Sequence, residues 1–293
     1  MNCKLCNGKS DIIYEGPLKT GLLSGYTQKH YPVYQCKKCN VIWNEGYKDE
    51  KADFYESGEY RERIDGTSEI DAYRAKYDKD VLFKLQLTGT ELFRGNVVCD
   101  IGCGGGSFLD FVSTPAKSIL AIEPNEKYRA GLKKQGYFVY SYASMAKQDW
   151  MKKVNVITSF DVIEHVYDPK GFVTDIYDLL VEGGKCVVGT PTDYPVLREF
   201  LGDTFNQFIF QVQHPWVFSK ESLIDLFKAV GFKYVNIEAK QKYGLGNLLS
   251  WLYDHTPRGD IKYPFISPAV DVVYKEEMSK NGHGEYLVVY AEK

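Results

Sequence analysis

The chain has 293 residues, of which 44% are hydrophobic and 26% charged, with a formal net charge of −3. This composition is ordinary for a globular protein with one large domain or two smaller ones. The acidic balance argues against a general nucleic-acid binder, which usually carries a basic surface, and no apolar run approaches the roughly 18 residues of a transmembrane helix. The first residues, MNCKLCNGKS, lack the apolar core of a signal peptide, so we expect a cytoplasmic protein with reduced thiols.

The first forty residues hold two CxxC pairs. They are formed by Cys3, Cys6, Cys36 and Cys39. Paired thiolates separated by two residues can reach one ion from a tight turn, and two such turns supply the four ligands of a closed, structural zinc site. Asn40 follows the second pair and tolerates the left-handed conformation that such turns need. Two disulfides are the alternative, which a reducing compartment disfavours. The sequence therefore predicts a zinc-ribbon module over residues 1–46.

Residues 47–92 are charged, aromatic and helical in pattern. Tyr73, Tyr77, Val81 and Leu85 recur at helical spacing, which predicts a helix that packs against the domain that follows. We interpret 47–92 as a helical connecting segment.

From residue 97 onward, strand-like and helix-like stretches alternate. Short apolar strands alternating with helices predict a parallel sheet covered on both faces, with ligands bound beyond the carboxyl ends of its strands. The predicted strands are 97–101, 118–123, 137–141, 154–160, 184–190, 234–238 and 286–292. Two helical stretches between the last two strands predict an inserted segment, 239–285, that could be a substrate lid or a dimer contact.

A cluster of glycines follows the first of these strands, in VVCDIGCGGGSFLDFV. The cluster consists of Gly102, Gly104, Gly105 and Gly106. It leaves the strand end bare, so that a ligand can approach the backbone where the next helix begins. A dinucleotide site prefers GxGxxG/A, but the third position here is Ser107. Asp100 would repel a pyrophosphate and suits a ligand that carries an ammonium group.

These residues resemble a known family. DIGCGGGSF is similar to the first motif of class I S-adenosylmethionine-dependent methyltransferases, SFDVIEHV (159–166) to the fourth-strand motif, and LLVEGGKCVVGTP to the fifth-strand region. The resemblance covers residues 90 to 293 and implies an α/β, Rossmann-like sheet of seven mostly parallel strands with an antiparallel terminal hairpin, in a methyltransferase domain over 93–293. The cysteine pairs further resemble a subgroup with a zinc module, several members of which modify sugars.

The resemblance implies S-adenosyl-L-methionine as cofactor. Glu123 would hold the ribose hydroxyls, Asp100 the amino-acid tail, and the loop after the third strand the adenine. The structural alternatives are that Asp100 caps the glycine loop and that Glu123 is a helix N-cap acid. The candidate cofactor-binding residues are Asp100, Gly102, Cys103, Gly104, Glu123, Pro124, Ala143, Ser144, Phe160, Asp161 and Tyr73.

A hydroxyl acceptor must lose its proton during methyl transfer. His165 is the obvious general base, because imidazole titrates near neutrality, and Glu164 could orient it or bind the acceptor. The alternative is a purely structural Glu-His pair. His214, which precedes a predicted helix N-cap at Ser219, is a second candidate base, with an ordinary turn histidine as the alternative.

The leading hypothesis is a methyltransferase that O-methylates a carbohydrate or a nucleotide-linked sugar, a small-molecule acceptor, with a homodimer possible. Methylation of RNA, protein or another small molecule stays open. So do a nicotinamide-dependent oxidoreductase and a non-catalytic zinc-ribbon adaptor whose Rossmann-like domain is degenerate.

Overall fold

A seven-stranded sheet dominates the computed structural model, which describes residues 1–21, 25–49 and 53–293. Its strand order is β10-β11-β8-β7-β4-β5-β6, mostly parallel with an antiparallel hairpin at one edge. The strands are β4 (Val97–Ile101), β5 (Ser118–Ile122), β6 (Phe138–Tyr140), β7 (Val154–Phe160), β8 (Leu180–Pro191), β10 (Tyr234–Lys240) and β11 (Tyr286–Glu292). The predicted Rossmann-like sheet is therefore confirmed.

The parallel strands are buried on both faces. In β4 and β5 every residue after the first is buried, and in β7 every residue but the second is buried, as expected for strands covered by helices on each side. β4 pairs in parallel with both β5 and β7, so it is an interior strand and its carboxyl end lies between those of its two neighbours.

Twelve helices occur among the described residues. They are α1 (Glu59–Asp65), α2 (Ile70–Tyr77), α3 (Val81–Thr88), α4 (Ser107–Val112), α5 (Glu126–Lys134), α6 (Ala143–Trp150), α7 (Pro169–Leu179), α8 (Pro195–Leu201), α9 (Asp203–Ile209), α10 (Lys220–Val230), α11 (Leu245–Asp254) and α12 (Pro268–Lys280). Several begin where the sequence supplies a cap. The Asn125 side chain accepts the N–H groups of Lys127 and Tyr128 at the start of α5, which satisfies two donors that have no partner inside the helix.

Two predicted elements need correction. The spacing from Tyr73 to Leu85 predicts one helix, but α2 ends at Tyr77 and a 3-10 turn, Asp78–Asp80, separates it from α3. Aspartate is a poor residue for a helix interior. The strand predicted over 184–190 begins earlier, because α7 ends at Leu179 and β8 starts at Leu180, with Gly183 at a φ of 73°.

The chain divides into two units. The first comprises Met1–Lys48, Thr190–Leu223 and Ile237–Val288, and the second comprises Asp49–Gly189, Ile224–Asn236 and Val289–Lys293. The second unit contains the parallel strands β4 to β7 and the helices that cover them.

The first unit contains a four-stranded antiparallel sheet in the order β1-β2-β3-β9. Its strands are β1 (Ser10–Lys19), β2 (Tyr26–Cys36), β3 (Ile42–Trp43) and β9 (Trp216–Val217). Leu18, Val33 and Ile42 from this sheet pack with Phe205 and Phe210 in one buried cluster. Residues far apart in sequence therefore share a core with the N-terminal segment.

Candidate functional site

The glycine-rich corner lies at the carboxyl end of β4. Gly102, Gly104 and Gly106 have φ angles of 76°, 56° and 89°, which only glycine adopts readily. The backbone N–H groups of Gly102 and Cys103 donate to the carbonyl of Ile122 at 2.8 and 3.2 Å. The loop is thereby tied to the end of β5 before α4 begins.

Glu123 closes this corner from the end of β5. Its Oε2 accepts the N–H of Gly104 and its Oε1 accepts the N–H of Asn125, both at 2.8 Å. Burial raises the pKa of Glu123, although these two N–H groups and the charge of Arg61 act in the opposite direction. Each carboxylate oxygen keeps a lone pair for a further donor.

Asp100 is the last but one residue of β4 and is 3% exposed. Thr158 Oγ1 donates to its Oδ1 at 2.7 Å. Burial raises the pKa of Asp100 to about 6, and the attraction of Lys84 and the hydrogen bond from Thr158 oppose that shift only in part. A cationic group bound beside Asp100 would relieve the cost of holding its charge.

Side chains of the protein itself lie against the backbone of the glycine loop. A Cβ on Gly104 would overlap the Tyr73 hydroxyl, and one on Gly105 would lie 2.7 Å from the Tyr73 ring. A Cβ on Gly102 would overlap Val162. Tyr73, 7% exposed, therefore covers the corner, and a ligand tail against Gly104 has to share or take the space of this phenol.

Arg61 joins Tyr73 in this cover and has no counterpart among the sequence-based candidates. Its guanidinium carbon lies 5.0 Å from the ring centroids of Tyr60 and Tyr73 and 5.2 Å from that of Tyr77, and it pairs with Asp65 at 3.4 Å. Burial disfavours the guanidinium charge, but the three phenols together with the Glu123 carboxylate outweigh it and raise the pKa of Arg61. Nothing in the YRER pattern distinguishes such an arginine from a surface residue.

His165 lies in a 3-10 turn, Ile163–His165, that follows β7. The Tyr55 hydroxyl is 3.2 Å from its Nδ1 and the Tyr60 hydroxyl is 3.4 Å from its Nε2. Glu164 beside it is 1% exposed. The structure thus brings His165 together with two tyrosines from the segment before α1 and from α1 itself.

The adenine and tail candidates lie at the ends of β6 and β7. Ala143 and Ser144 are the first residues of α6, where no side chain caps the helix, so their N–H groups lack an acceptor within the helix. The Phe160 ring packs edge-on against Phe108 at 5.7 Å, and its backbone is the part that remains for a ligand. Asp161 is exposed with a φ of 59°, a conformation that non-glycine residues adopt mainly at turns and functional sites.

Three other candidates are placed as follows. Cys103 is buried, and burial raises the pKa of its thiol well above the usual range. Pro124 is half-buried, and its carbonyl accepts from Arg129. His214 belongs to the first unit, where its carbonyl accepts the Asn44 side chain at 3.1 Å.

The four cysteines of the first unit converge. The sulfurs of Cys3 and Cys39 are 3.8 Å apart and those of Cys6 and Cys36 are 3.5 Å apart, and all four lie within 4.8 Å of one another. Four sulfurs at about 2.3 Å from one tetrahedral zinc ion stand about 3.8 Å apart. All seven cysteines of the chain are free thiols, so the cluster fits a metal rather than two disulfides.

Each pair is followed by a left-handed asparagine. Asn7 and Asn40 have φ angles of 58° and 57°, and their N–H groups donate to the carbonyls of Cys3 and Cys36 at 3.0 Å. The left-handed turn predicted at Asn40 is confirmed, and the sequence CKLCN repeats it at Asn7. Each of the two turns therefore orients two thiols toward the centre of the cluster.

The thiols are unequally ready to ionise. Burial opposes the charge of Cys36, but the N–H groups of Cys39 and Lys38 donate to its sulfur, and its pKa is lowered to about 7. Burial raises the pKa of Cys3 and of Cys39. Four thiolates in this space need a cation.

A comparison with family models identifies the larger part of the chain. The model of a methyltransferase domain matches residues 73–237. The chain belongs to this methyltransferase family. The matched residues include the glycine corner, Glu123 and the turn that carries His165, so the methyltransferase depends on S-adenosyl-L-methionine.

The methyltransferase is similar to several known proteins. It is 23% identical over 210 residues to a ubiquinone biosynthesis O-methyltransferase of Cereibacter sphaeroides, with 67% of this chain and 79% of the relative covered. It is 29% identical over 101 residues to a probable S-adenosylmethionine-dependent methyltransferase of Mycolicibacterium smegmatis, with 33% of this chain and 38% of the relative covered. Among solved structures, a SAM-dependent methyltransferase from Archaeoglobus fulgidus aligns with a TM-score of 0.48 at 18% identity, covering 80% of this chain and 98% of that one.

The donor set of the second unit fits the cofactor of the methyltransferase. Each carboxylate oxygen of Glu123 retains a lone pair for a further donor, and Asp100 is a buried acid whose charge Lys84 and Thr158 stabilise only in part. The buried Ser107 Oγ and Tyr128 Oη lack a hydrogen-bond partner within the described part of the chain.

No helix in the described part of the chain combines the length and the apolar character needed to cross a bilayer.

Proposed function

We propose that the chain is an O-methyltransferase that uses His165 as general base on a hydroxyl of a small-molecule acceptor. The observation that carries this proposal is the contact of both His165 ring nitrogens with tyrosine hydroxyls at 3.2 and 3.4 Å, directly after β7. A histidine held at a strand end, in the turn next to the glycine corner, suits proton removal near pH 7. A carbon or nitrogen acceptor without a proton to remove would have less use for it.

The cofactor supplies an electrophilic methyl group on a sulfonium, and several groups of the second unit are proposed to hold it. Glu123 accepts the ribose hydroxyls, Asp100 attracts the ammonium of the tail, and the N–H groups of Ala143 and Ser144 bind the adenine. Gly102 and Gly104 allow the tail to approach the backbone. Tyr73 is proposed to leave its place over Gly104 and to close over the tail.

Most of the catalytic effect is expected from binding and orienting the two reactants, because methyl transfer depends on their alignment and on the exclusion of water. The cover of Tyr60, Arg61, Tyr73 and Tyr77 is suited to both. Its three rings are packed around one half-buried guanidinium, and Tyr73 lies against the glycine corner.

Two classes of hydroxyl-bearing acceptor fit this proposal. The N-terminal cysteine pairs resemble those of sugar methyltransferases and favour a carbohydrate or a nucleotide-linked sugar. Relatives named as ubiquinone biosynthesis O-methyltransferases favour a hydroxyl of a compound in ubiquinone biosynthesis instead. Both are O-methylations, and both require a base.

The cysteine cluster is proposed to hold one structural zinc ion in a module over residues 1–46. Four thiolates leave no open coordination position, so the ion would stabilise the fold and take no part in methyl transfer. The remainder of the chain is proposed to act as a connecting segment, 47–92, and a methyltransferase domain, 93–293, with an insertion over 239–285. A cytoplasmic location accords with the free thiols.

Two experiments test this function. Methyl transfer from tritiated cofactor is measured with UDP-glucose and dTDP-glucose in one arm and 3,4-dihydroxybenzoate in the other, and turnover in one arm alone identifies the class. His165→Ala is then compared with wild type for turnover and for S-adenosylhomocysteine binding. We expect turnover to fall about 10²-fold or more with binding unchanged; unchanged turnover would remove His165 from the mechanism.

A further inference from the structure

His165 is held between two phenols that come from one short segment. Tyr55 and Tyr60 are separated from it by 110 and 105 residues in the chain, and their rings stand at 81° and 76° to the imidazole. Phe54, 1% exposed, packs against both tyrosine rings with centroids 5.1 and 5.8 Å away. The two phenols are therefore fixed by a buried ring rather than placed by a flexible surface loop.

The geometry restricts how protons are distributed. A neutral imidazole carries one N–H and one bare nitrogen, so one phenol donates to the ring and the other accepts from it. The guanidinium of Arg61 lies 5.0 Å from the ring centroid of Tyr60, and its charge opposes the rise that burial causes in the pKa of this phenol. Arg61 therefore favours Tyr60 as the donor, which places the bare nitrogen at Nε2 and the N–H at Nδ1, facing Tyr55.

Tyr60 is linked to the glycine corner by contacts between side chains. Arg61 contacts both Tyr60 and Tyr73, and the Tyr73 hydroxyl covers Gly104. Val162, whose carbonyl accepts the N–H of His165, abuts Gly102. The side-chain contacts that join the corner to the imidazole therefore include the Tyr60 phenol.

The charges around Tyr60 keep it protonated at rest. Burial raises the pKa of Tyr60 to about 12, Arg61 opposes this shift, and Glu164, Asp161 and Asp65 add to it. A phenol with such a high pKa does not remove the acceptor's proton by itself. It can transfer a proton if it is hydrogen-bonded to a base.

We propose that Tyr60 relays the acceptor's proton to His165 Nε2 and that Tyr55 is a positioning residue, which accepts the Nδ1–H and fixes the imidazole tautomer. The inference rests on the proposed role of His165 as base. The acceptor O–H bond breaks and its proton goes to Tyr60 Oη, while the Tyr60 proton moves to Nε2. The electron pair stays on the acceptor oxygen, which is the atom to be methylated. Tyr60 ends as it began, and His165 ends as imidazolium with an N–H on each nitrogen.

The tautomer is measurable without any acceptor. In the full chain with ¹⁵N-labelled histidine, long-range ¹H–¹⁵N spectra at pH 8 report which ring nitrogen carries hydrogen, and His165→Asn assigns the signal among the five histidines. We expect Nδ1–H in wild type, a shift toward Nε2–H in Tyr55→Phe, and no change in the control Tyr253→Phe, whose ring is 86% exposed. An Nε2–H tautomer in wild type would overturn the inference, and so would a spectrum that Tyr55→Phe leaves unaltered.

Turnover separates the relay from the base. With the compound that is methylated in the two-arm assay, we expect Tyr60→Phe to lower kcat by about 10²-fold, with KM and S-adenosylhomocysteine binding within about twofold of wild type. If His165→Ala abolishes turnover but Tyr60→Phe does not lower it, the proposed proton relay through Tyr60 is wrong, while the role of His165 as general base is retained. If neither variant affects turnover, the proposed base itself fails.

Discussion

The Glu123 carboxylate bridges the end of β5 to the glycine loop, because its Oε2 accepts the N–H of Gly104 at 2.8 Å. One side chain thus organises the loop and at the same time presents its remaining lone pairs at the strand end. The residue proposed to recognise ribose is therefore also a residue that shapes the site.

Glu123→Ala is expected to weaken S-adenosylhomocysteine binding about 10- to 100-fold, because hydrogen bonds to a charged group contribute about 1.5–3 kcal/mol each. Isothermal titration calorimetry measures this loss. Glu126→Ala is the matched control, since its side chain is 83% exposed on the adjacent helix. Equal affinities for the two variants would mean that Glu123 serves the loop alone, and a thermal melt checks that the fold persists.

Asp100 gives the site a pH signature. Its folded-state pKa of about 6 lies above its usual value of 3.8, so the folded chain binds the proton more tightly than the unfolded chain does. The stability that this proton provides is present below about pH 4 and is lost as the pH rises through about 6, a cost of about 3 kcal/mol.

Asp100→Asn should therefore raise the free energy of unfolding at pH 7.5 and converge with wild type near pH 4, while it weakens binding of the cofactor's ammonium. Urea titrations at both pH values measure the difference, and the exposed Asp225→Asn provides the control. A variant less stable than wild type at pH 7.5 would show that the buried charge is not a cost.

Tyr73 and Gly104 should be coupled energetically. Gly104→Ala introduces a methyl group that overlaps the Tyr73 hydroxyl at a φ of 56°, and we expect a loss of about 1–3 kcal/mol. In a double-mutant cycle, Tyr73→Ala should relieve part of that loss. Strictly additive effects on thermal unfolding would contradict the contact between the two residues.

The cysteine cluster should contain zinc in a 1:1 ratio to the chain. Cys36→Ser should lose the metal, measured by inductively coupled plasma mass spectrometry, and lower Tm by about 5–10 °C. Cys186→Ala, a buried cysteine outside the cluster, should keep the metal. Retention of zinc by Cys36→Ser would mean that the ion lies elsewhere.

The sequence predicted the features that depend on neighbouring residues. Alternation of strands and helices predicted all seven strands of the sheet, and the helix cap at Ser219 is confirmed, since its Oγ accepts the N–H of Ser222 at 3.1 Å. Asn40 takes the predicted left-handed turn because asparagine tolerates it locally.

The place of Arg61 in the cover could not be predicted in the same way. It reaches the rings of Tyr60 and Tyr73 from a segment distant in the chain from the glycine corner, and a single sequence gives no signal for such a contact. A charged residue in this pattern is equally typical of a helix surface. The break between α2 and α3 was missed for a related reason, because helical spacing alone does not show where a helix stops.

Calorimetric titration of the full chain with S-adenosylhomocysteine tests the central claim, that the corner between Asp100 and Glu123 holds the adenosyl cofactor. The account predicts one ligand per chain with a Kd of about 1–100 μM, weakened in both Asp100→Asn and Glu123→Ala. Absence of binding at millimolar ligand, or binding that neither substitution alters, would contradict it.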